Sequence, residues 1–148
     1  MSGSSNHLET ARELEREIGV FVRRIRHSIV ERARMTHPEL SAATYTMLVA
    51  ISESGPMRGT DLADLFAIDK GAVSRQVQHL RGLGLVDRVP DPTDERGVRL
   101  EVTAPARERL AEVDRLRRAE FEQRFADWTT EDLARLIELL ARYNAAFD

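Results

Sequence analysis

The segment from Lys70 to Gly82 carries polar side chains at a spacing that suits contacts with DNA bases. If it is a helix, with about 100° between successive residues, Val73, Val77 and Leu80 share an inward face. Small or polar residues then face outward or flank that direction: Lys70, Gly71, Ser74, Arg75, Gln78 and His79. Arginine can form two hydrogen bonds to guanine, and glutamine can form two to adenine. The glycine permits close backbone approach, and the lysine lies at a helix N-terminus, where a phosphate is favoured. The segment therefore predicts a helix suited to a major groove.

A second set of charges follows in the segment DPTDERGVRL, residues 91–100. From Val98 to Val102 every second residue is apolar, which is typical of a strand with one buried face. On the other side, LVDRVP at residues 85–90 also has strand character. Asp91 before Pro92 predicts a turn. The chain therefore predicts a hairpin that carries charges of both signs around its tip.

Helices must position these two segments, because apolar residues recur at three- and four-residue steps over most of the remaining chain. After a frayed terminus at residues 1–7, a first helix is expected from Leu8 to about Met35. Ser41, Asp69 and Thr129 are expected to cap later helices, and Thr103 with Pro105 predicts a helix start. Residues 61–82 have the spacing of a helix-turn-helix. The predicted fold class is mainly α with a small β-hairpin, in the order of four helices, the hairpin and two helices.

The segment that contains the predicted helix-turn-helix and hairpin resembles a known family. The stretch LADLFAIDKGAVSRQVQHLRGLGLVDRVPDPTDERGVRLEVT is similar to the MarR family of bacterial winged-helix regulators. The pattern is close to that family's wing at Gly84-Leu85-Val86-x-Arg88, Asp91-Pro92-x-Asp94-x-Arg96 and Leu100-x-Val102-Thr103. One departure is Ala106, where the family often has glycine. The long first helix and the two final helices match its dimerisation part, so the resemblance covers nearly the whole chain.

The resemblance implies a homodimeric transcription regulator that binds a pseudo-palindromic operator and represses it until a small molecule releases the DNA. It implies a winged helix-turn-helix flanked by N- and C-terminal dimerisation helices. The expected division is 1–35 as N-terminal arm and dimerisation helix, 36–103 as DNA-binding domain and 104–148 as C-terminal dimerisation helices. By the motif, Arg96 enters the minor groove and Asp94 holds it in place. A narrow A·T-rich groove attracts arginine, and a nearby carboxylate can orient a guanidinium by charge-assisted hydrogen bonds. Arg99 is a further candidate for DNA contact.

The same resemblance implies a small-molecule pocket between the dimerisation helices and the winged helix, often for aromatic or phenolic anions. In this sequence the candidate lining residues are Arg23, His27 and Tyr45, which combine a cation, an imidazole and an aromatic hydroxyl. Ordinary packing and surface positions are the alternative for all three. Glu31, four residues after His27, can share its helix face, as a surface contact more often than as a metal ligand pair.

Other classes of chemistry lack their residues. The chain has no cysteine, which excludes disulfides, thiolate zinc sites and peroxide sensing through cysteine. It contains no G-x-S-x-G, P-loop or G-x-G-x-x-G motif, and its four histidines lack the spacing of H-E-x-x-H. No enzyme activity, cofactor or metal site is predicted. The N-terminus does not resemble a secretory signal, and the longest aliphatic run, Met47 to Ile51, is too short to span a bilayer. A cytoplasmic location is therefore expected.

Net charge does not by itself indicate a nucleic-acid partner. The formal charge is -3, whereas DNA-binding domains are often strongly basic. The segment from Arg58 to Arg99 contains seven basic and seven acidic residues. DNA binding therefore requires that the basic residues lie on the side that contacts DNA. Two alternatives remain open: a winged helix that binds a protein without DNA, and a small-molecule-binding protein without a regulatory role.

Overall fold

The computed structural model describes residues 2–147, with side chains from residue 6 onward, and it is mainly α-helical with one β-hairpin. The helices are α1 (Ser2–Thr36), α2 (Ala42–Ser54), α3 (Gly59–Phe66), α4 (Lys70–Gly82), α5 (Ala104–Arg124) and α6 (Thr130–Asn144), followed by a 3-10 turn at Ala145–Phe147. The hairpin consists of β1 (Val86–Asp91) and β2 (Asp94–Val102) between α4 and α5. The predicted fold class and element order are confirmed.

Three helices begin at the side chains expected to cap them. The side-chain oxygens of Ser41, Asp69 and Thr129 accept hydrogen bonds from the backbone N–H three residues on, over 2.9–3.1 Å. Such caps satisfy N–H groups that have no partner within a helix. Thr103 is also placed as expected, with its hydroxyl 3.4 Å from the N–H of Ala106.

The first helix begins earlier than expected. Residues 2–7 were predicted to fray, but α1 already includes them from Ser2 onward; Met1 lies outside the described residues. Extending an existing helix adds one hydrogen bond for each residue that is fixed, whereas nucleation is the costly step. Polar composition alone therefore did not mark the end of this helix. Its C-terminus at Thr36, before His37 and Pro38, agrees with the prediction.

The hairpin turn is tighter than the sequence indicated. Only Pro92 and Thr93 lie between the strands, and β2 begins at Asp94 instead of the expected Val98. Pro90 pairs with Val98, yet the next residue, Asp91, pairs with Asp94. Three residues of β2 are therefore unmatched on β1. This three-residue insertion, residues 95–97, is called the tip bulge below.

The first 113 residues form one compact unit around a single hydrophobic core. Its largest fully buried side chains are Leu48, Ile51, Leu62, Leu80 and Val86 from α2, α3, α4 and β1, and α1 and α5 contribute Ala33 and Ala106. Met57 adds a short third pairing to the sheet, since its N–H donates to Leu100 O over 3.1 Å and its carbonyl accepts from Leu100 N over 2.8 Å. The start of α3 is thereby attached to the hairpin.

Residues 114–148 form a second compact unit. Here Phe125 contacts Phe121 in a tilted arrangement and Trp128 edge to face, with ring centroids 4.8 and 5.2 Å apart. None of the residues in α6 is buried, and large apolar side chains such as Ile137, Leu140 and Tyr143 are exposed on it. Within residues 2–147, no helix combines the length and apolar character needed to cross a membrane.

Candidate nucleic-acid interface

Helix α4 presents the predicted face to solvent. Val73, Val77 and Leu80 are buried, while the six outward or flanking residues, Lys70, Gly71, Ser74, Arg75, Gln78 and His79, are all exposed. Burial of one stripe fixes the rotation of the helix about its own axis. The outward side chains therefore have a defined direction before any ligand arrives.

The first turn of α4 is built around the Asp69 carboxylate. Its Oδ1 accepts the N–H of Ala72 over 2.9 Å, and this bond lowers the pKa of the Asp69 carboxyl. The N–H of Gly71 and the charge of Arg75 lower that pKa as well. A Cβ on Gly71 would lie 2.9 Å from Asp69 Oδ1 and 3.4 Å from Arg75 Nη1. The glycine thus leaves room for the arginine beside the helix start.

Helix α4 is also tied to the neighbouring elements. The Thr44 hydroxyl on α2 donates to Gln76 Oε1 over 2.5 Å, and both residues are at least half-buried. His79 Nε2 lies 3.3 Å from the carbonyl oxygen of Glu39, in the turn before α2. His79 therefore already has a partner within the chain, in addition to its predicted place beside DNA.

The tip bulge carries Arg96 at the exposed end of the hairpin. Glu95 and Arg96 are exposed, and the N–H of Arg96 donates to Asp94 Oδ1 over 3.1 Å. A Cβ on Gly97 would lie 3.0 Å from Asp91 Cβ and from Asp94 Cβ. Asp94 was expected to orient the guanidinium of Arg96. The hydrogen bond in the described structure is to the backbone N–H of Arg96, and orientation of the guanidinium by Asp94 stays a prediction.

Asp91 is a turn residue as predicted, since its carboxylate accepts the N–H of Thr93 two residues on, but it is also buried, which the sequence did not indicate. Its side chain is 0% exposed, and its carboxylate lies among Arg58, Thr93 and Arg99. Arg58 Nε is 2.5 Å from Oδ2; the N–H and hydroxyl of Thr93 donate to Oδ1 over 2.9 and 2.8 Å. Arg99 Nε is 3.2 Å from Oδ1. The hydrogen bond from Arg58 lowers the pKa of the Asp91 carboxyl far below its usual range, with Thr93 and Arg99 acting in the same direction.

Arg99 and Arg58 both contact the buried Asp91 carboxylate, a role that the sequence did not indicate. Arg99, a candidate for DNA contact, is partly buried and its Nε faces Asp91. Arg58 was not singled out at all, although its Nη2 also donates to Thr93 Oγ1 over 3.1 Å. Asp91 and Arg58 are 33 residues apart, so no local spacing indicated the pair. Asp91 precedes a proline, and Asp-Pro is a common turn signal. The sequence therefore predicted a turn at this position and not a buried carboxylate.

The predicted pocket residues occupy different environments. Tyr45 is buried in the core on α2, whereas Arg23 and His27 lie on an exposed part of α1. His27 Nε2 is 3.2 Å from Glu31 Oε1, and both side chains are well exposed, which fits the expected surface contact. Within residues 2–147, no three His, Asp or Glu side chains are grouped as a metal ion would require.

Comparisons with known proteins agree with this architecture. A model described as MarR family matches residues 39–97, from the turn before α2 through the tip bulge. The chain is 30% identical over 134 residues to the uncharacterized HTH-type transcriptional regulator YxaD of Bacillus subtilis, spanning 90% of this chain and 92% of YxaD. It is 27% identical over 96 residues to the HTH-type transcriptional repressor NicR of Pseudomonas putida, spanning 64% of this chain and 61% of NicR.

A solved structure gives the same fold. The crystal structure of wild-type MarR in its apo form from E. coli aligns with a TM-score of 0.68 at 23% identity, over 88% of this chain and 95% of that one. At this identity the likeness concerns the fold. The family assignment rests on the relative that is 30% identical over 90% of this chain. The exposed face of α4 and the wing agree with it. The chain belongs to the MarR family of DNA-binding winged helix-turn-helix transcription regulators.

Proposed function

We propose that the protein represses transcription as a homodimer on a pseudo-palindromic operator, and that it acts through binding and not through catalysis. The observation that carries the proposal is the combination of α4 and the tip bulge in one compact unit. Helix α4 exposes Ser74, Arg75 and Gln78 for base contacts, and the bulge exposes Arg96. A duplex against this unit would meet α4 in its major groove and Arg96 in the minor groove.

Three acidic residues of this region are engaged in contacts within the protein. Asp69 is occupied as a helix cap, Asp91 is buried between arginines, and Asp94 accepts a backbone N–H. By contrast Lys70, Arg75, Arg81, Arg88 and Arg96 are all exposed. Asp61, Asp64, Asp87 and Glu95 are exposed as well, so local attraction of a phosphate backbone requires that these basic residues lie toward the duplex.

The repressor and dimer parts of the proposal have separate support. One relative is named a transcriptional repressor. Exposed apolar side chains on α1 and α6, among them Phe21, Ile25, Ile137 and Leu140, give a second copy something to cover. A two-fold dimer would present two copies of α4 to two half-sites of an operator. Because the ligand is DNA, the proposed location is the cytoplasm.

A small aromatic or phenolic effector completes the proposal. Arg23, His27 and Tyr45 are its proposed contacts, which the resemblance of the sequence to ligand-responsive regulators supports. The exposed Arg23 supplies a cation for an anionic ligand, and His27 lies one helical turn away on the same helix. Such a compound is expected to release the protein from DNA. In the Arg23→Ala variant the compound should no longer have this effect.

DNA binding is tested with the promoter beside the protein's own gene. Arg75→Ala should relax base preference at one operator position by about 1–3 kcal/mol, because a two-pronged base contact is lost. Arg96→Ala should weaken binding to all sequences and lower the slope of log affinity against log salt by about 1, because one contact in the negative groove is lost. Fluorescence anisotropy at several salt concentrations measures both quantities.

The controls separate this function from the two alternatives. Arg12→Ala removes an exposed charge on α1, outside the proposed interface, and should leave the salt slope unchanged. A winged helix that binds only proteins, or a ligand-binding protein without DNA, predicts that wild type and both arginine variants behave alike. Absence of binding to the promoter at low salt would contradict the proposed function.

A further inference from the structure

The Asp91 carboxylate is buried, although a role in DNA contact would not require burial. A carboxylate without solvent is costly unless it is paired and hydrogen-bonded, and Asp91 is shielded completely. It accepts hydrogen bonds from Arg58 and Thr93 and forms a further ion pair with Arg99; these three residues and Asp91 are called the wing clasp. Since the carboxylate is hidden from any duplex, its role must lie in what these four residues hold together.

One end of the clasp belongs to the helix-turn-helix. Arg58 immediately precedes α3, and its backbone N–H donates to Asp61 Oδ2 over 3.0 Å. The preceding residue, Met57, is paired with Leu100 of β2 in both directions. The Arg58 side chain therefore extends from a fixed backbone at the start of α3.

The other end of the clasp reaches Arg96. Asp91 pairs with Asp94 across the turn, and Gly97 fits against both residues with no room for a side chain. Asp94 in turn accepts the N–H of Arg96. A continuous set of contacts thus runs from the start of α3, through the buried carboxylate, to the backbone of the arginine at the tip.

We infer that Arg58 and Thr93 are positioning residues for DNA recognition: through Asp91 they hold the tip bulge at a fixed place relative to the helix-turn-helix, so that Arg96 and α4 engage one duplex together. This inference rests on the proposed function. A two-stranded hairpin is only marginally stable by itself, so an untied wing would have to be ordered during binding. Ordering in advance reduces that cost and strengthens association.

Thr93→Val is the sharpest variant. It keeps the size and charge of the side chain but removes the hydroxyl that accepts from Arg58 Nη2 and donates to Asp91 Oδ1. Arg58→Lys keeps the charge but loses the two-pronged geometry. Each should weaken operator binding roughly two- to tenfold, the effect of losing one or two hydrogen bonds, although neither change removes a charge that could contact DNA.

A double-mutant cycle distinguishes positioning from a direct contact. If the clasp acts by placing Arg96, then Thr93→Val and Arg58→Lys should lose their effect on affinity in an Arg96→Ala background. The matched control is Arg88→Ala, an exposed arginine of the same hairpin, whose effect should multiply with that of Arg96→Ala. An equal loss of affinity from Thr93→Val in both backgrounds would overturn the inference.

Hydrogen exchange of the free protein gives a readout that does not depend on DNA. In Thr93→Val, the amides of residues 94–98 should exchange faster, while those of α4 and the thermal midpoint stay close to wild type. Unchanged exchange in the wing would also overturn the inference. The proposed function is decided separately: if wild type binds the promoter and Arg96→Ala binds more weakly, it stands whatever the clasp variants do, and if wild type does not bind, both proposals fail.

Discussion

Gly71 shows how a single residue can set the direction of a DNA-contacting side chain. Its Cα faces both the Asp69 cap and the guanidinium of Arg75, and an added Cβ would lie 2.9 Å from Asp69 Oδ1. This is closer than a carbon and an oxygen can approach, so the carboxylate would have to move. The predicted role of Gly71, close approach of the backbone to DNA, thus has a second component within the protein.

Gly71→Ala should therefore lower both stability and DNA selectivity. Loss of a helix cap costs about 0.5–2 kcal/mol, against a gain in helix propensity of at most about 1 kcal/mol. Displacement of Arg75 should reduce discrimination at its base pair about tenfold, the order of one lost base contact. Urea unfolding and competition binding with single-base operator variants measure the two effects.

Gly82→Ala is the matched control, since an added Cβ there would meet nothing within 4 Å. It tests the propensity gain alone in the same helix, and it should be at least as stable as wild type with unaltered selectivity. If Gly71→Ala behaved like Gly82→Ala in both measurements, the space beside Gly71 would have no role in placing Arg75.

Individual residues were predictable where their role depends on local periodicity. The rotation of α4 follows from Val73, Val77 and Leu80, so its exposed face could be predicted before the structure was known. The clasp depends on tertiary contact instead. Arg58 and Asp91 lie 33 positions apart, and the three-residue insertion before Val98 depends on how β1 and β2 pair. Neither relation leaves a periodic pattern in the sequence.

At the scale of elements, the helix-turn-helix is fixed by side chains at its helix ends. The turn between α3 and α4 passes through Ala67, which adopts a left-handed φ of 50°, and the Asp69 cap follows two residues later. Asp69 carries a lowered pKa because its charged form accepts the N–H of Ala72. The start of α4 is therefore more stable when this carboxylate is ionised.

This linkage predicts an acid-sensitive contribution to stability. Since the pKa of Asp69 is lowered in the folded protein, its contribution is fully present above the ordinary pKa of about 3.9. It is lost as the pH falls through the lower folded value. Asp69→Asn keeps a good cap that does not titrate. Wild type should thus exceed Asp69→Asn in urea midpoint at neutral pH, and the difference should shrink near pH 3.

Other acids titrate in the same range, but they are present in both proteins. The pKa values of Asp91 and Asp114 are also lowered, chiefly by hydrogen bonds from Arg58 and Arg117, and their contributions cancel in the comparison. A constant difference between wild type and Asp69→Asn from pH 7 to about pH 3 would show that ionisation of Asp69 does not stabilise α4.

On the scale of the whole molecule, the two compact units differ in how they bury apolar residues. The unit formed by the first 113 residues has a core of its own, whereas the unit from Asp114 to Asp148 contains a helix with no buried residue at all. Amphipathic helices obtain most of their stability from packing an apolar face. Large apolar side chains of α1 and α6 are exposed in the single chain, and a second copy is the proposed cover.

Ile137→Glu tests that cover, because Ile137 is 68% exposed within a single chain. A charge in an apolar interface is costly, so the variant should sediment as a monomer, or as a weaker dimer, at micromolar concentrations where we expect wild type to be a dimer. Its operator affinity should fall by at least about tenfold, because two linked half-sites bind more tightly than one. Sedimentation velocity and anisotropy on the same samples measure both changes.

Leu65→Glu provides the comparison outside the proposed dimer helices. Leu65 is 60% exposed on α3, so it has nearly the same exposure as Ile137 but belongs to the helix-turn-helix. This variant should remain dimeric whatever it does to DNA affinity, because the proposed two-fold contacts lie on α1 and α6. If both variants dimerised like wild type, the exposed stripe on α6 would not be the dimer contact. If wild type itself sedimented as a monomer, operator recognition would have to use one copy of α4, and a pseudo-palindromic site would have no structural basis.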